Sequence, residues 1–232
     1  MSLPTTQEEW TDQAQAAGVH NQSLKTCSTL QSGSRVNDQQ FLLCRTIVPD
    51  IQAINQLDTS RYGLQEYMQQ ASQILNNPEL NRFLMAIHSK NWVSLHDFRS
   101  VLRTQLEVLA GQQQTHPLKR INETTVNTSL ILLLIAIGSM HPTLTREWRS
   151  SRITLTANFG TVNSNSNPHR QYMAVTDGQL QDTVTGKIIC LLECKREERE
   201  RHSPQVEKQE VAQMVAWVKE YPDPTTATFN RQ

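Results

Sequence analysis

Apolar residues in the first half of the chain recur in a pattern typical of helices. Between residues 49 and 111 they are spaced three and four positions apart, as on one face of an α-helix. Asn77-Pro78 interrupts this pattern and Gly111 ends it. We therefore predict a small helical bundle over this region. A short helix over 8–17 and a polar linker or loop near 21–40, rich in Ser, Gln, Asn and Gly, precede the bundle.

The second half alternates between helical and strand-like patterns. Residues 183–186 resemble a hairpin turn, and the nearly continuous apolar run before Glu193 is typical of a central strand buried on both faces. Ser203-Pro204 is a helix start signal, with serine as N-cap and proline at the first helical position. The predicted elements are a buried helix over 124–140, strands over 152–158, 171–180 and 187–195, and a helix over 205–221. This order indicates an α+β or α/β protein, with a helical region over 1–115 and a second domain over 116–232.

Charge and composition exclude some classes of protein. The 232 residues include 22 basic and 22 acidic residues, so the formal net charge is zero. This excludes a histone-like basic protein and a strongly acidic, solvating chain. Residues 1–115 carry 8 basic and 10 acidic groups, net −2, and residues 116–232 carry 14 and 12, net +2. This mild asymmetry neither requires nor excludes a phosphate-binding second half.

Targeting signals and common catalytic motifs are missing from the sequence. The N-terminal residues lack a basic and an apolar signal-peptide region, and the longest apolar run, 130–137, is too short for a bilayer. The four cysteines form no CxxC pair, and the histidines follow no HExxH pattern. No phosphate-binding glycine loop is present. We expect an intracellular protein without a membrane span, in the nucleus or the cytoplasm, with reduced cysteines.

One group of charged residues in the second half has the composition of a catalytic site. Glu193 and Lys195 lie two residues apart at the end of the apolar run, so their side chains leave the same face of a strand. Asp177 follows Met173 and Val175 on the preceding strand-like segment, and it lies near Glu193 if the two segments pair as a hairpin. Two carboxylates and a lysine suit Mg²⁺-assisted phosphodiester hydrolysis, since the carboxylates bind the metal and the lysine orients water or offsets charge.

The order of three features resembles the PD-(D/E)xK nuclease superfamily, with its restriction-endonuclease-like fold. The features are Asp177, then Glu193-Cys194-Lys195, then a glutamine-bearing helix. The resemblance covers residues 118–221 and is closest to PD-(D/E)xK nuclease-like domains of uncharacterised fungal proteins. It implies an α-β-β-β-α core, Mg²⁺ or Mn²⁺ as cofactor, and nucleic acid as partner, with DNA favoured over RNA. It also implies that Glu123 contributes a further metal-binding carboxylate and that Gln209 assists catalysis, with Gln205 and Gln213 as alternatives.

The sequence departs from the family pattern at two places. Thr176 replaces the proline that usually precedes the aspartate. After Tyr221, two prolines and no alternating apolar run make a further strand unexpected, so the family's last strand is missing or the chain is truncated. Three functions follow as alternatives. The first is a Mg²⁺-dependent nuclease-like phosphodiesterase. The second is a catalytically silent domain of this fold that binds nucleic acid or protein, or a truncated remnant of a longer protein, and the third is a helical interaction protein.

Overall fold

The protein is an α+β protein that divides into two compact units. The computed structural model describes residues 2–27, 29–49, 54–89, 98–112, 122–141, 143–160, 170–195 and 199–222. The first unit combines residues 1–51, 152–176 and 197–232, and the second combines 52–151 and 177–196. Each unit thus takes segments from both sides of residue 115, which differs from the split predicted there. Strand pairing and helix packing join segments that are far apart in the sequence.

Among its described residues, the first unit contains a two-stranded antiparallel sheet and four helices. Its elements are α1 (Gln7–Ala16), α2 (Asp38–Leu43), β2 (Thr154–Asn158), β3 (Gln171–Val175), α7 (Arg199–His202) and α8 (Gln205–Glu220), with a 3₁₀ turn at Gly33–Arg35. The helix predicted over 8–17 is confirmed by α1, whose N-cap is Thr6, with its side chain accepting a hydrogen bond from the Glu9 amide. Leu155 and Ala157 are buried on alternate positions of β2, as the predicted strand over 152–158 requires.

The segment 21–40, which its composition assigns to a linker or loop, contributes to the core of the first unit instead. Leu24 and Val36 are buried, and α2 begins at Asp38 with Phe41 completely buried. The Gln40 carboxamide is also buried, and it bonds both the amide and the carbonyl of Gln31. Its polar groups are therefore satisfied inside the protein, which residue composition alone does not predict.

Helix α8 confirms the last predicted helix, but its start and its buried face differ from expectation. It begins after Pro204, and no side chain caps it, so Ser203 is not its N-cap. Its buried positions include Gln213 and Ala216, whereas Met214 and Val218 on the apolar side are half-exposed. Val215 on the same side packs against the core that contains Trp10 and Leu42, so the apolar side of α8 is only partly exposed.

The second unit contains helices and a three-stranded antiparallel sheet. Its elements are α3 (Gln65–Leu75), α4 (Pro78–Ser89), α5 (Arg99–Gln112), α6 (Glu123–Ser139), β1 (Arg146–Arg149), β4 (Gly178–Asp182) and β5 (Ile188–Leu192), with a 3₁₀ turn at Ile54–Gln56. Phe83 and Phe98 stack with ring centroids 4.8 Å apart, and Val101 and Ala136 join the same core. The helices predicted between residues 49 and 111 are confirmed as α3, α4 and α5, but α3 buries none of its side chains. The helix predicted over 124–140 is confirmed as α6, which packs in the same core as α4 and α5.

The sheet of the second unit has the order β1-β4-β5, and it changes three expectations. The strand-like segment 171–180 is two strands, because Thr176 and Asp177 lie between β3 and β4. Among the described residues β5 is an edge strand rather than a central one, and Cys190 within it is exposed. Strand β1 is an addition that the sequence pattern does not indicate. The predicted turn over 183–186 is confirmed, and it connects β4 to β5.

No helix within the described ranges has both the length and the apolar character needed to cross a membrane. The expectation of no strand after Tyr221 concerns residues 223–232, which lie outside the described residues.

Candidate metal centre

Glu123 is placed by the start of α6. Asn122 is the N-cap of this helix, and its side-chain oxygen accepts hydrogen bonds from the Thr125 amide at 2.7 Å and the Thr125 hydroxyl at 2.9 Å. Glu123 is therefore the first residue of the helix, where a carboxylate also interacts favourably with the helix dipole. Its side chain is 41% exposed.

Asp177 lies immediately before β4 and is held from several directions. Its amide donates to the Leu192 carbonyl at 2.9 Å, which continues the β4–β5 ladder. Its carbonyl accepts from Nδ2 of Asn127 at 2.7 Å. Its carboxylate Oδ2 accepts from the Cys194 amide at 3.0 Å, and the residue is only 7% exposed. One carboxylate oxygen of Asp177 is thus used structurally.

The glycine that follows Asp177 is required by close packing rather than by a turn. A Cβ atom on Gly178 would lie 2.6 Å from the Arg149 carbonyl oxygen and 3.1 Å from Cδ1 of Ile131. Gly178 is the first residue of β4 and is buried. The backbone next to Asp177 therefore approaches both β1 and α6 more closely than any other residue type permits.

Glu193 and Lys195 follow the end of β5 and form an ion pair. Lys195 Nζ bonds Oε1 of Glu193, and it lies 3.6 Å from Oε1 of Glu123. The Glu193 side chain is 7% exposed and that of Lys195 is 22% exposed. One ammonium group is therefore shared between two carboxylates at the edge of the protein surface.

The structure brings together the three carboxylates that the sequence analysis names as metal ligands. One oxygen from each of Glu123, Asp177 and Glu193 lies within 4.8 Å of the others. These residues come from three separate segments of the second unit: the start of α6, the start of β4 and the end of β5. The predicted hairpin pairing brings Asp177 and Glu193 together, with β4 rather than β3 as the partner of β5.

The clustered charges shift the pKa of two neighbouring groups. Burial by itself lowers the pKa of Lys195, but the hydrogen bond and charge of Glu193, with further charge from Glu123 and Asp177, outweigh it, so the pKa is raised. Lys195 is therefore a cation at neutral pH. Burial, followed by the negative charge of the same carboxylates, raises the pKa of the Cys194 thiol to about 11. Cys194 is thus protonated at neutral pH.

The glutamine assigned to the site lies on α8, in the first unit. Gln209 is half-buried there, and its catalytic role stays a prediction. The alternatives have structural partners: Gln213 donates to the Val175 carbonyl at 2.8 Å, and Gln205 makes long contacts to the carbonyls of Ser34 and Val36.

Two residues of the site were not singled out by their type or spacing. Asn127 contacts Asp177 and Cys194, and Gly178 permits the close packing beside Asp177. The four-residue spacing between Glu123 and Asn127, which puts both on one face of a helix, is the signal that points to Asn127.

The sequence matches none of the protein-family models, and no curated protein or solved structure shows significant similarity to the chain.

Proposed function

We propose that this protein is a Mg²⁺- or Mn²⁺-dependent phosphodiesterase of the PD-(D/E)xK nuclease type, acting on nucleic acid, with DNA favoured over RNA. The observation that carries the proposal is the convergence of Glu123, Asp177 and Glu193 within 4.8 Å, with Lys195 paired to two of them. Asp177, Glu193 and Lys195 form the aspartate and Glu-x-Lys pattern of this superfamily. Glu123, at the start of α6, corresponds to the carboxylate that its first core helix supplies.

The donor set fits a hard divalent cation. All three candidate ligands are carboxylates, which Mg²⁺ and Mn²⁺ prefer over nitrogen or sulfur donors. Three carboxylates held this close repel one another, and Lys195 supplies one positive charge against three negative ones. Glu123, Asp177 and Glu193 would hold the metal, which when bound would polarise the scissile phosphate and lower the pKa of a water ligand.

Lys195 supplies a fixed positive charge beside the carboxylates. Its raised pKa makes it a cation rather than a general base at neutral pH. Its partly exposed ammonium group can reach solvent and a bound phosphodiester. In this proposal it orients the attacking water and offsets the negative charge that develops on the phosphate.

We also propose the restriction-endonuclease-like core for the second half. In support, α6 carries one carboxylate at its start, and the antiparallel β4–β5 pair carries the other two at one end. The extra strand β1 and the division of the strand-like segment 171–180 are features that this core would have to accommodate.

The test is cleavage of DNA and RNA with Mg²⁺ or Mn²⁺, compared with EDTA. Lys195→Ala should lower the cleavage rate by about a hundredfold or more, because it removes a charge that stabilises the transition state. Lys187→Ala is the matched control, since this exposed lysine lies just before β5, at its opposite end. Equal loss in both variants, or no loss in Lys195→Ala, would refute the mechanism.

The catalytically silent alternative predicts a different result. Such a domain would bind the metal or nucleic acid but cleave neither DNA nor RNA under any of these conditions. Glu193→Gln would then weaken metal binding without any rate to affect. Absence of metal binding by the wild-type protein would argue against the metal centre itself.

A further inference from the structure

Asn127 lies one helical turn beyond Glu123 on α6, so the two side chains share a face of the helix. Glu123 is partly exposed, whereas Asn127 is only 9% exposed. A buried carboxamide carries two donors and one acceptor that must find partners inside the protein.

The Asn127 carboxamide bonds both of the other segments that carry a candidate ligand. Its Nδ2 donates to the Asp177 carbonyl at 2.7 Å, and its Oδ1 accepts from the Cys194 thiol at 3.5 Å. Cys194 stands between Glu193 and Lys195 in the chain. Asn127 therefore connects the start of α6 to the residue before β4 and to the segment after β5.

The network is closed by the bond between the two residues that Asn127 contacts. The Cys194 amide donates to the Asp177 carboxylate at 3.0 Å, so Asn127, Asp177 and Cys194 form a ring of hydrogen bonds. Buried hydrogen-bond networks of this kind restrict the conformations of the groups that they join.

We propose that Asn127 is a positioning residue for the metal centre, fixing Asp177 and the Glu193–Lys195 segment relative to Glu123 without contacting the metal. The inference rests on the proposed function, since it assigns a role toward the same three carboxylates. Polar groups that orient metal ligands in this way typically contribute ten- to a hundredfold to metal affinity.

The experiment compares wild type with Asn127→Leu, which keeps the branched shape and the number of side-chain heavy atoms but removes both hydrogen bonds. Ala136→Gly is the matched control, because it weakens α6 by about 1 kcal/mol at a buried position that packs in the helical core. Mn²⁺ affinity is measured by titration well below the unfolding temperature of each variant. Hydrogen exchange at the Cys194 and Asp177 amides is measured without metal.

Asn127→Leu should weaken Mn²⁺ binding about tenfold or more and accelerate exchange at the Cys194 amide beyond any change in Ala136→Gly. If Asn127 only stabilised the fold, Asn127→Leu and Ala136→Gly would change Mn²⁺ affinity and amide exchange by similar amounts. If Asn127→Leu does not fold, Asn127→Ser serves, since its shorter side chain also loses both bonds.

The outcomes separate the two proposals. If wild type binds Mn²⁺ and the Asn127 variants bind it equally well, the positioning role is refuted while the metal centre stands. If wild type does not bind Mn²⁺, the metal centre is refuted. In that case, unchanged hydrogen exchange at the Cys194 amide in the Asn127 variants refutes the hydrogen-bond network as well. Accelerated exchange at this amide supports the network as a structural feature but refutes its role in metal binding.

Discussion

Lys195 and a divalent cation should compete for the same carboxylates, and Lys195→Met tests this. The substitution keeps much of the apolar stem but removes the ammonium group. Glu193, with its side chain only 7% exposed, then lies beside two further carboxylates and has lost its ammonium partner. We expect the metal-free variant to be less stable than wild type and the metal to stabilise it more strongly.

The magnitude follows from the distances and the exposure. Two charges 3.6 Å apart, as between Lys195 Nζ and Glu123 Oε1, interact by about 4.6 kcal/mol at an effective dielectric constant of about 20. Glu123 is 41% exposed and is therefore screened by solvent, so most of the loss arises at Glu193. Breaking a fully buried pair costs about 3–5 kcal/mol, so we expect about 2–3 kcal/mol for this partly exposed one. That loss corresponds to a fall in unfolding temperature of roughly 4–12 °C.

The assay is thermal unfolding in EDTA and across a series of Mn²⁺ concentrations, with Lys195→Arg as the control that keeps the charge. Removing one competing charge should tighten Mn²⁺ binding by about tenfold, equivalent to about 1.4 kcal/mol. The rise in unfolding temperature with Mn²⁺ should then be larger in Lys195→Met than in wild type or Lys195→Arg. Equal Mn²⁺ affinity in all three proteins would show that the ammonium and the metal do not share these carboxylates.

Two further predictions concern packing and pH. Gly178→Ala should destabilise the protein by about 1–3 kcal/mol in urea unfolding, because the new Cβ atom would lie 2.6 Å from a backbone oxygen. Gly138→Ala is the control and should be neutral or stabilising, since its Cβ atom would meet only the end of a leucine side chain. Equal effects of the two substitutions would contradict the packing argument. The hydrogen bond and charge of buried Lys208 lower the pKa of Asp38 from 3.8, so this pair stabilises the fold above that pH and its contribution is lost as the pH falls through the lowered value. Asp38→Asn should therefore lower the free energy of unfolding by about 1 kcal/mol at pH 7, a small value because Asp38 is half-exposed. The difference in stability between this variant and wild type should shrink below pH 3.8. A difference that stays constant with pH would refute the ion pair as its cause.

The residues of the candidate site could be named from the sequence because charged groups beside an apolar strand are conspicuous. Glu193 and Lys195 follow an apolar run, and Asp177 lies on the strand-like segment before it, whereas Glu123 was implied only by the resemblance to the PD-(D/E)xK superfamily. Their convergence depends on pairing between β4 and β5, which the turn over 183–186 makes local in the chain. The only sequence signal for Asn127 is its four-residue spacing from Glu123, and it is weak because a polar residue in a helix is most often on the helix surface.

Sequence alone determined the local elements: α1, α4 to α6, β2, the turn before β5 and α8 all follow from apolar spacing and turn residues. Only the tertiary structure decided which segments pair. It divided residues 171–180 between two sheets and placed part of 21–40 in a core. In α8 it buried Gln213 and left Met214 and Val218 exposed. The spacing of apolar residues indicates which face of a segment can be buried. Which other segment covers that face depends on packing between residues that are distant in the chain.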